Sequence, residues 1–137
     1  MISYHFHEVE TPKNFDSIDQ WIHHCSTNLF ETIEHISYIF CSDEYLLELN
    51  KSALNHDYYT DIITFDLREN EADPLDAELY ISLDRVRENS SDFNTTFALE
   101  LKRVMVHGLL HLTGLNDATD EEKQHMRKME NTYLAIK

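Results

Sequence analysis

A chain of 137 residues with 42% hydrophobic and 11% aromatic content has the material for one domain with its own core, and is too apolar for disorder. Its 26 acidic residues outnumber 11 basic ones, giving a formal net charge of −15. That balance argues against a simple cationic nucleic-acid binder and against a membrane-surface protein. In chain order, Ile2, Tyr4 and Phe6 alternate with Ser3, His5 and His7, the pattern of a half-buried strand. Ile18, Trp21, Ile22 and Cys25 then recur at helical spacing. Residues 35–41 return to strand chemistry, and Ser42, Asp43 and Glu44 open a helix expected to run to about Asn50, the serine capping and the carboxylates facing the dipole. Asp61–Phe65 and Glu78–Leu83 read as strands, with a polar loop containing Pro74, Arg68–Asp76, between them. A short helix from Asp84 leads to a polar stretch, Asn89–Thr95. A stronger helix spans Thr96–Leu112, with Phe97, Leu101, Val104 and Met105 inward. Thr119–Glu122 is a capping box for a last helix with Met126, Met129, Tyr133 and Leu134 inward.

Four strands and about five helices in mixed order predict an α+β fold: a small mixed four-stranded sheet packed with helices, one domain over residues 1–137. Met1–Glu8 has neither the basic nor the apolar region of a signal peptide, and no apolar run approaches the roughly 18 residues of a membrane span. A cytoplasmic location without membrane contact is the expectation. Cys25 and Cys41 form no CxxC pair and read as reduced, buried thiols. Residues 1–79 hold 17 acidic and 3 basic residues, against 9 and 8 in residues 80–137. An anionic partner would therefore approach the second half.

Both glycines of the chain fall in His107-Gly108-Leu109-Leu110-His111-Leu112-Thr113-Gly114-Leu115-Asn116-Asp117, of the form HxxxHxxGxxD. Four helical residues turn about 400°, so His107 and His111 share a face about 6 Å apart along the axis, as on a zincin-like HxxxH helix. Gly114 stands where a helix end wants a left-handed residue, and Asp117 then returns as a third ligand. Three protein ligands with one open position is the catalytic arrangement for zinc. Nine histidines would produce an HxxxH pair by chance about 0.6 times, but the extended pattern only about 0.002 times. The plainer reading is two helix histidines, a glycine cap and a polar turn. Gly108 costs about 1 kcal/mol mid-helix and so implies a close backbone approach. It also occupies the position of the general-base glutamate in HExxH zinc peptidases, which disfavours peptide hydrolysis.

These residues resemble the bacterial YbeY family of single-domain, metal-dependent endoribonucleases, also called rRNA maturation factors, whose signature reads HGxLHLxGxDH. His107-Gly108, Leu110-His111-Leu112 and Gly114 match it directly; Leu49-Asn50, Thr60–Phe65, Leu79–Ser82 and Met129-Glu130 match its other blocks. Three departures stand out. Asn116-Asp117 replaces the aspartate-histidine pair, Leu54 replaces an arginine, and Ala77-Glu78 replaces a glycine-aspartate. Aspartate remains an acceptable zinc ligand, although it lowers the net charge of the site and acidifies bound water less. The resemblance implies a single-strand-specific endoribonuclease in rRNA maturation and ribosome quality control. It implies one Zn²⁺ per chain on His107, His111 and Asp117, with rRNA, ribosomal particles and ribosomal or assembly proteins as partners. The metal would act as a Lewis acid and activator of water.

Other residues carry weaker expectations. His125 is a substitute ligand or, more simply, a surface histidine. His5, His7, His23 and His24 lack partners at ligand spacing. Lys102, Arg103, Arg85 and Arg87 are phosphate contacts or solvated surface, Asp61 is a turn cap or a functional group, and Asp120 belongs to the capping box. The alternatives in function are a ribosome-assembly binding factor with a structural metal site and a metallohydrolase of a non-RNA substrate. A cleft lined by arginine and lysine would speak for RNA, and an apolar or neutral one for a smaller ligand.

Overall fold

The computed structural model describes residues 1–136. Strand β1 (Ile2–Phe6) leads through α1 (Phe15–Leu29) to β2 (Ile33–Cys41), and α2 (Asp43–Leu54) leads to β3 (Ile62–Asp66). Strand β4 (Leu75–Ser82) follows, then helices α3 (Leu83–Asp92), α4 (Phe97–Leu112) and α5 (Asp120–Leu134). The sheet order is β1-β2-β4-β3. β1, β2 and β4 are parallel, while β3 runs antiparallel to β4. The mixed sheet and five helices are the α+β architecture that the alternating patterns imply.

Period-two alternation sends Tyr38 and Phe40 of β2, and Leu75, Ala77, Leu79 and Ile81 of β4, into the main core. There they meet Ile18, Trp21, Ile22 and Cys25 of α1 and Leu101, Met105 and Leu109 of α4. The buried polar tips are satisfied: Tyr38 Oη donates to the Met105 carbonyl at 2.9 Å, and Trp21 Nε1 to the Tyr133 carbonyl at 2.9 Å. α5 packs Met126 and Tyr133 against this core. A smaller cluster on the opposite face joins Cys41, Leu46 and Ile63. Both cysteines are free and buried.

Hydroxyl side chains start α2 and α5 as expected, and α4 likewise. Ser42, Thr96 and Thr119 each accept from the backbone three residues on, and Thr119 and Glu122 complete the capping box. Three boundaries differ by three residues or more from the sequence reading. α2 continues to Leu54, because Asn55, not Asn50, adopts the left-handed conformation that stops it (φ 56°). β4 begins at Leu75, not Glu78; Pro74 occupies the position just before it, where no ladder donor is lost, and the Leu75 N–H donates to the Thr32 carbonyl. α3 runs on to Asp92 through the polar Asn89, since Val86 and Ser90 share its buried face.

Gly108 explains how α4 lies on the sheet. A Cβ there would collide with the buried Leu79 and lie 2.8 Å from Ile62 Cδ1, so the missing side chain lets the helix backbone touch β3 and β4. That contact brings the histidine-bearing turn of α4 against the start of β3.

Candidate metal centre and its cleft

The end of α4 is a Schellman turn. The Gly114 N–H donates to the His111 carbonyl and the Leu115 N–H to the Leu110 carbonyl, with Gly114 at φ +103°. The turn has a chemical consequence: it carries the Leu115 carbonyl to 2.8 Å from His111 Nδ1. His107 Nδ1 lies 2.7 Å from Glu130 Oε2 on α5. Both Nδ1 atoms face oxygens that can only accept, so both carry a hydrogen, and in the neutral imidazoles both Nε2 atoms present lone pairs. Those two Nε2 atoms stand 3.0 Å apart, and Asp117 Oδ2 is 3.5 Å from each.

Two bare lone pairs at that separation repel unless a proton or a metal ion lies between them. Ligand atoms about 2.1 Å from one zinc ion, at the tetrahedral angle, stand about 3.4 Å from each other. The three donor atoms lie within 4.8 Å of one another, and their types, a histidine pair and a carboxylate, suit zinc. The residues therefore fit the ion they were expected to hold. Anchoring each imidazole through its second nitrogen is the usual way a protein fixes ligand tautomer and direction.

Glu130, which the sequence matched to a family block without giving it a role, stands behind the histidine pair. It is only 4% exposed and serves two donors: His107 at Oε2, and Arg103 Nη1 at Oε1, 3.0 Å away. Burial would raise its pKa, but the hydrogen bonds from His107 and Arg103 hold it below the usual carboxylate range. Burial conversely pulls His107 down, and the Glu130 bond, with the charges of Glu130, Asp117 and Asp61, overcomes this and leaves it raised. The available signal was an acid on the inward stripe of the last helix, between Met126 and Tyr133 at helical spacing.

The remaining candidates divide clearly. Arg103 is held by Glu130 and by Asn131 Oδ1 at 3.1 Å; Lys102 lies over the Trp21 ring, Arg87 over Phe97, and Arg85 binds Asp43 Oδ2 at 2.6 Å. Of these four, Arg103 alone adjoins the histidine pair, sharing the Glu130 carboxylate with His107. His125 is exposed on α5 and outside the metal-ligating group. His23 pairs with Asp19 one turn away, and His7 packs on Tyr45. Asp120 is the first residue of α5. Asp61 does more than open a strand: it lines the space beside His107, and burial raises its carboxyl despite the pull of the imidazole.

A cleft of about 650 Å³ opens over the site, between the C-terminal end of α2, the loop to β3, and His107, His111 and Asp117. Its walls include Leu54, His56, Tyr58, Asp61 and Asp66, and among the described residues no lysine or arginine. That departs from the cationic cleft expected for an RNA substrate. The position where the resemblance has an arginine, Leu54, lies in this wall. A second hollow, of about 460 Å³, borders His107 and Asp117 on the α5 side and does carry cations, Lys123 and Arg127. No helix among the described residues is long and apolar enough to cross a membrane.

Comparison with known proteins places the chain. The family model described as Endoribonuclease YbeY matches residues 3–136. A protein of Phocaeicola vulgatus named Endoribonuclease YbeY is 43% identical over 137 residues, covering 99% of this chain and 98% of its own. One from Bacteroides fragilis bearing the same name is 47% identical over 118 residues, 86% of this chain and 84% of its own. A solution structure from Thermotoga maritima is similar with a TM-score of 0.70 at 29% identity, covering 98% of this chain and 87% of that one.

Proposed function

The chain belongs to the YbeY endoribonuclease family, and from that premise we propose that it is a metal-dependent endoribonuclease that cuts single-stranded RNA during rRNA maturation. One Zn²⁺ per chain, held by His107, His111 and Asp117, is the cofactor of this reading, and the cytoplasm its location. A single observation carries it: the Nε2 atoms of two Nδ1-anchored histidines converge with Asp117 Oδ2 at the floor of an open cleft. When bound, the ion supplies Lewis-acid polarisation of a phosphodiester oxygen and lowers the pKa of water.

The chain's own residues supply the rest. Glu130 and the Leu115 carbonyl hold the two imidazoles in the tautomer that keeps Nε2 free. Asp117, 43% exposed at its side chain, contributes charge from the solvent side of the pair and leaves the cleft face of the site open to substrate. Gly108 lets the helix approach so that the histidines sit against β3 rather than in solvent. The proposal is tested by metal content. Purified protein is expected to carry about one equivalent of zinc and His111→Ala close to none. Asp117→Ala should lose the metal while both histidines remain. Wild-type protein that takes up less than roughly 0.1 equivalents refutes the site.

A further inference from the structure

The loop between α2 and β3 presents two aromatic rings to the cleft, and they have no partner in the core. His56 and Tyr58 stack with centroids 5.2 Å apart and planes at 21°, and Tyr58 Oη lies 3.0 Å from His56 Nδ1. Tyr58 is 55% exposed. The neighbouring Tyr59 is different: its hydroxyl donates to Glu44 and its ring lies beneath the Arg85 guanidinium. Tyr59 thus serves the fold, whereas Tyr58 and His56 line the same cleft as His107, His111 and Asp117.

The pair is held in place. Asn55, left-handed, closes α2 so that the His56 N–H returns to the Asn50 carbonyl at 3.0 Å. Asn50 is 2% exposed and its Nδ2 donates to the Tyr58 carbonyl at 2.9 Å. A buried helix amide that holds the loop backbone at Tyr58 fixes the direction of the loop's outward side chains. The ordering cost of presenting an aromatic face is therefore met before any ligand arrives.

We propose that His56 and Tyr58 form a stacking subsite for one unpaired base of the RNA strand whose backbone crosses the metal centre. The inference rests on the endoribonuclease reading and says how the cleft holds its substrate. Away from the metal, cleft walls without lysine or arginine cannot neutralise phosphates, so further affinity on this side must come from a contact that is not ionic. Stacking on an aromatic face is such a contact, is indifferent to base identity, and is open only to unpaired nucleotides. The cations on the opposite side, Lys123 and Arg127, are left for the phosphates.

The test uses the zinc-loaded protein and a fluorescent 2′-O-methyl hexanucleotide, its integrity after each titration checked on a gel. Tyr58→Ala is expected to raise Kd by about tenfold, with zinc content and melting temperature unchanged. Tyr58→Phe keeps the ring and should stay within about twofold of wild type. An unaltered Kd in Tyr58→Ala overturns the inference, as does a loss that Tyr58→Phe shares in full, since the hydroxyl and not the ring would then be responsible. If wild type cleaves unmodified RNA while Tyr58→Ala binds unchanged, the stacking subsite alone is refuted. Failure of the wild type both to bind and to cleave removes the functional reading and the subsite together.

Discussion

Replacing Glu130 by glutamine removes one charge and almost no volume, which makes it the sharpest probe of how the metal ligands are aimed. Glu130 accepts from His107 Nδ1 at 2.7 Å and from Arg103 Nη1 at 3.0 Å. A glutamine has one acceptor and one amino group, so whichever way it turns, an N–H faces another donor. Either Arg103 or His107 must lose its partner. Loss of a hydrogen bond of this charged kind costs about 1.5–3 kcal/mol of stability. Loss of a group that orients a metal ligand weakens metal binding by about 10–100-fold, or about 1.4–2.7 kcal/mol. A second effect has the opposite sign: without Glu130 the His107 pKa falls, which relieves proton competition for Nε2. That relief matters only near and below the raised imidazole pKa, so the titration is run as a pH series into the alkaline range, where the relief fades, with a chromophoric chelator competing for zinc. Glu130→Gln should bind zinc at least about tenfold more weakly than wild type there. Equal affinity in a folded variant would refute the argument that Glu130 aims His107.

Three further outcomes follow from the same geometry. Gly108→Ala gains about 1 kcal/mol of helix propensity but forces a methyl against Leu79 and Ile62, an overpacking cost of about 1–3 kcal/mol; thermal unfolding should show a lower Tm, and an unchanged or higher Tm would contradict the close approach of α4 to the sheet. Burial pushes the Cys25 and Cys41 thiols up to about 12, so the native protein should resist alkylation at pH 8 and react only on unfolding. The sign for stability follows: an unfolded thiol ionises near its ordinary pKa of about 9 while the folded one stays protonated, so this contribution is complete below pH 9 and is lost as pH rises from about 9 towards 12. A chemical-denaturation series across that range that shows no decline would contradict it. Finally, Lys123→Ala should weaken hexanucleotide binding and lower the slope of log Kd against log salt by about 0.7, the signature of one lost phosphate contact on a single strand; an unchanged slope would remove Lys123 from the strand's path.

How much of this was legible in the chain follows the range of the interaction. The helix caps at Ser42, Thr96 and Thr119 are contacts three residues long, and each formed as its residue types imply. The histidine spacing, the close approach at Gly108 and the left-handed Gly114 are likewise properties of one helix and its end. The boundaries that moved were set by distant partners: β4 starts at Leu75 because Thr32 accepts from it across the sheet. Glu130 is 23 residues from His107, and nothing local to either residue announces the bond between them. Arg103 shows the same limit. Beside the motif it reads as a phosphate contact, yet an acid from another helix has already engaged it. The cleft wall at His56 and Tyr58 depends on a loop held by the Asn50 side chain, a contact visible only once the chain has turned back on itself.

The central claim is that the His107, His111 and Asp117 cluster binds a metal on which RNA cleavage depends. The most direct measurement follows cleavage of a single-stranded rRNA fragment by purified protein, by chelator-stripped protein, and by stripped protein resupplied with one equivalent of zinc, with His111→Ala in parallel. Cleavage should disappear on stripping, return with zinc, and be absent from His111→Ala under every condition. Cleavage that persists in the stripped protein or in a metal-free His111→Ala would contradict the claim.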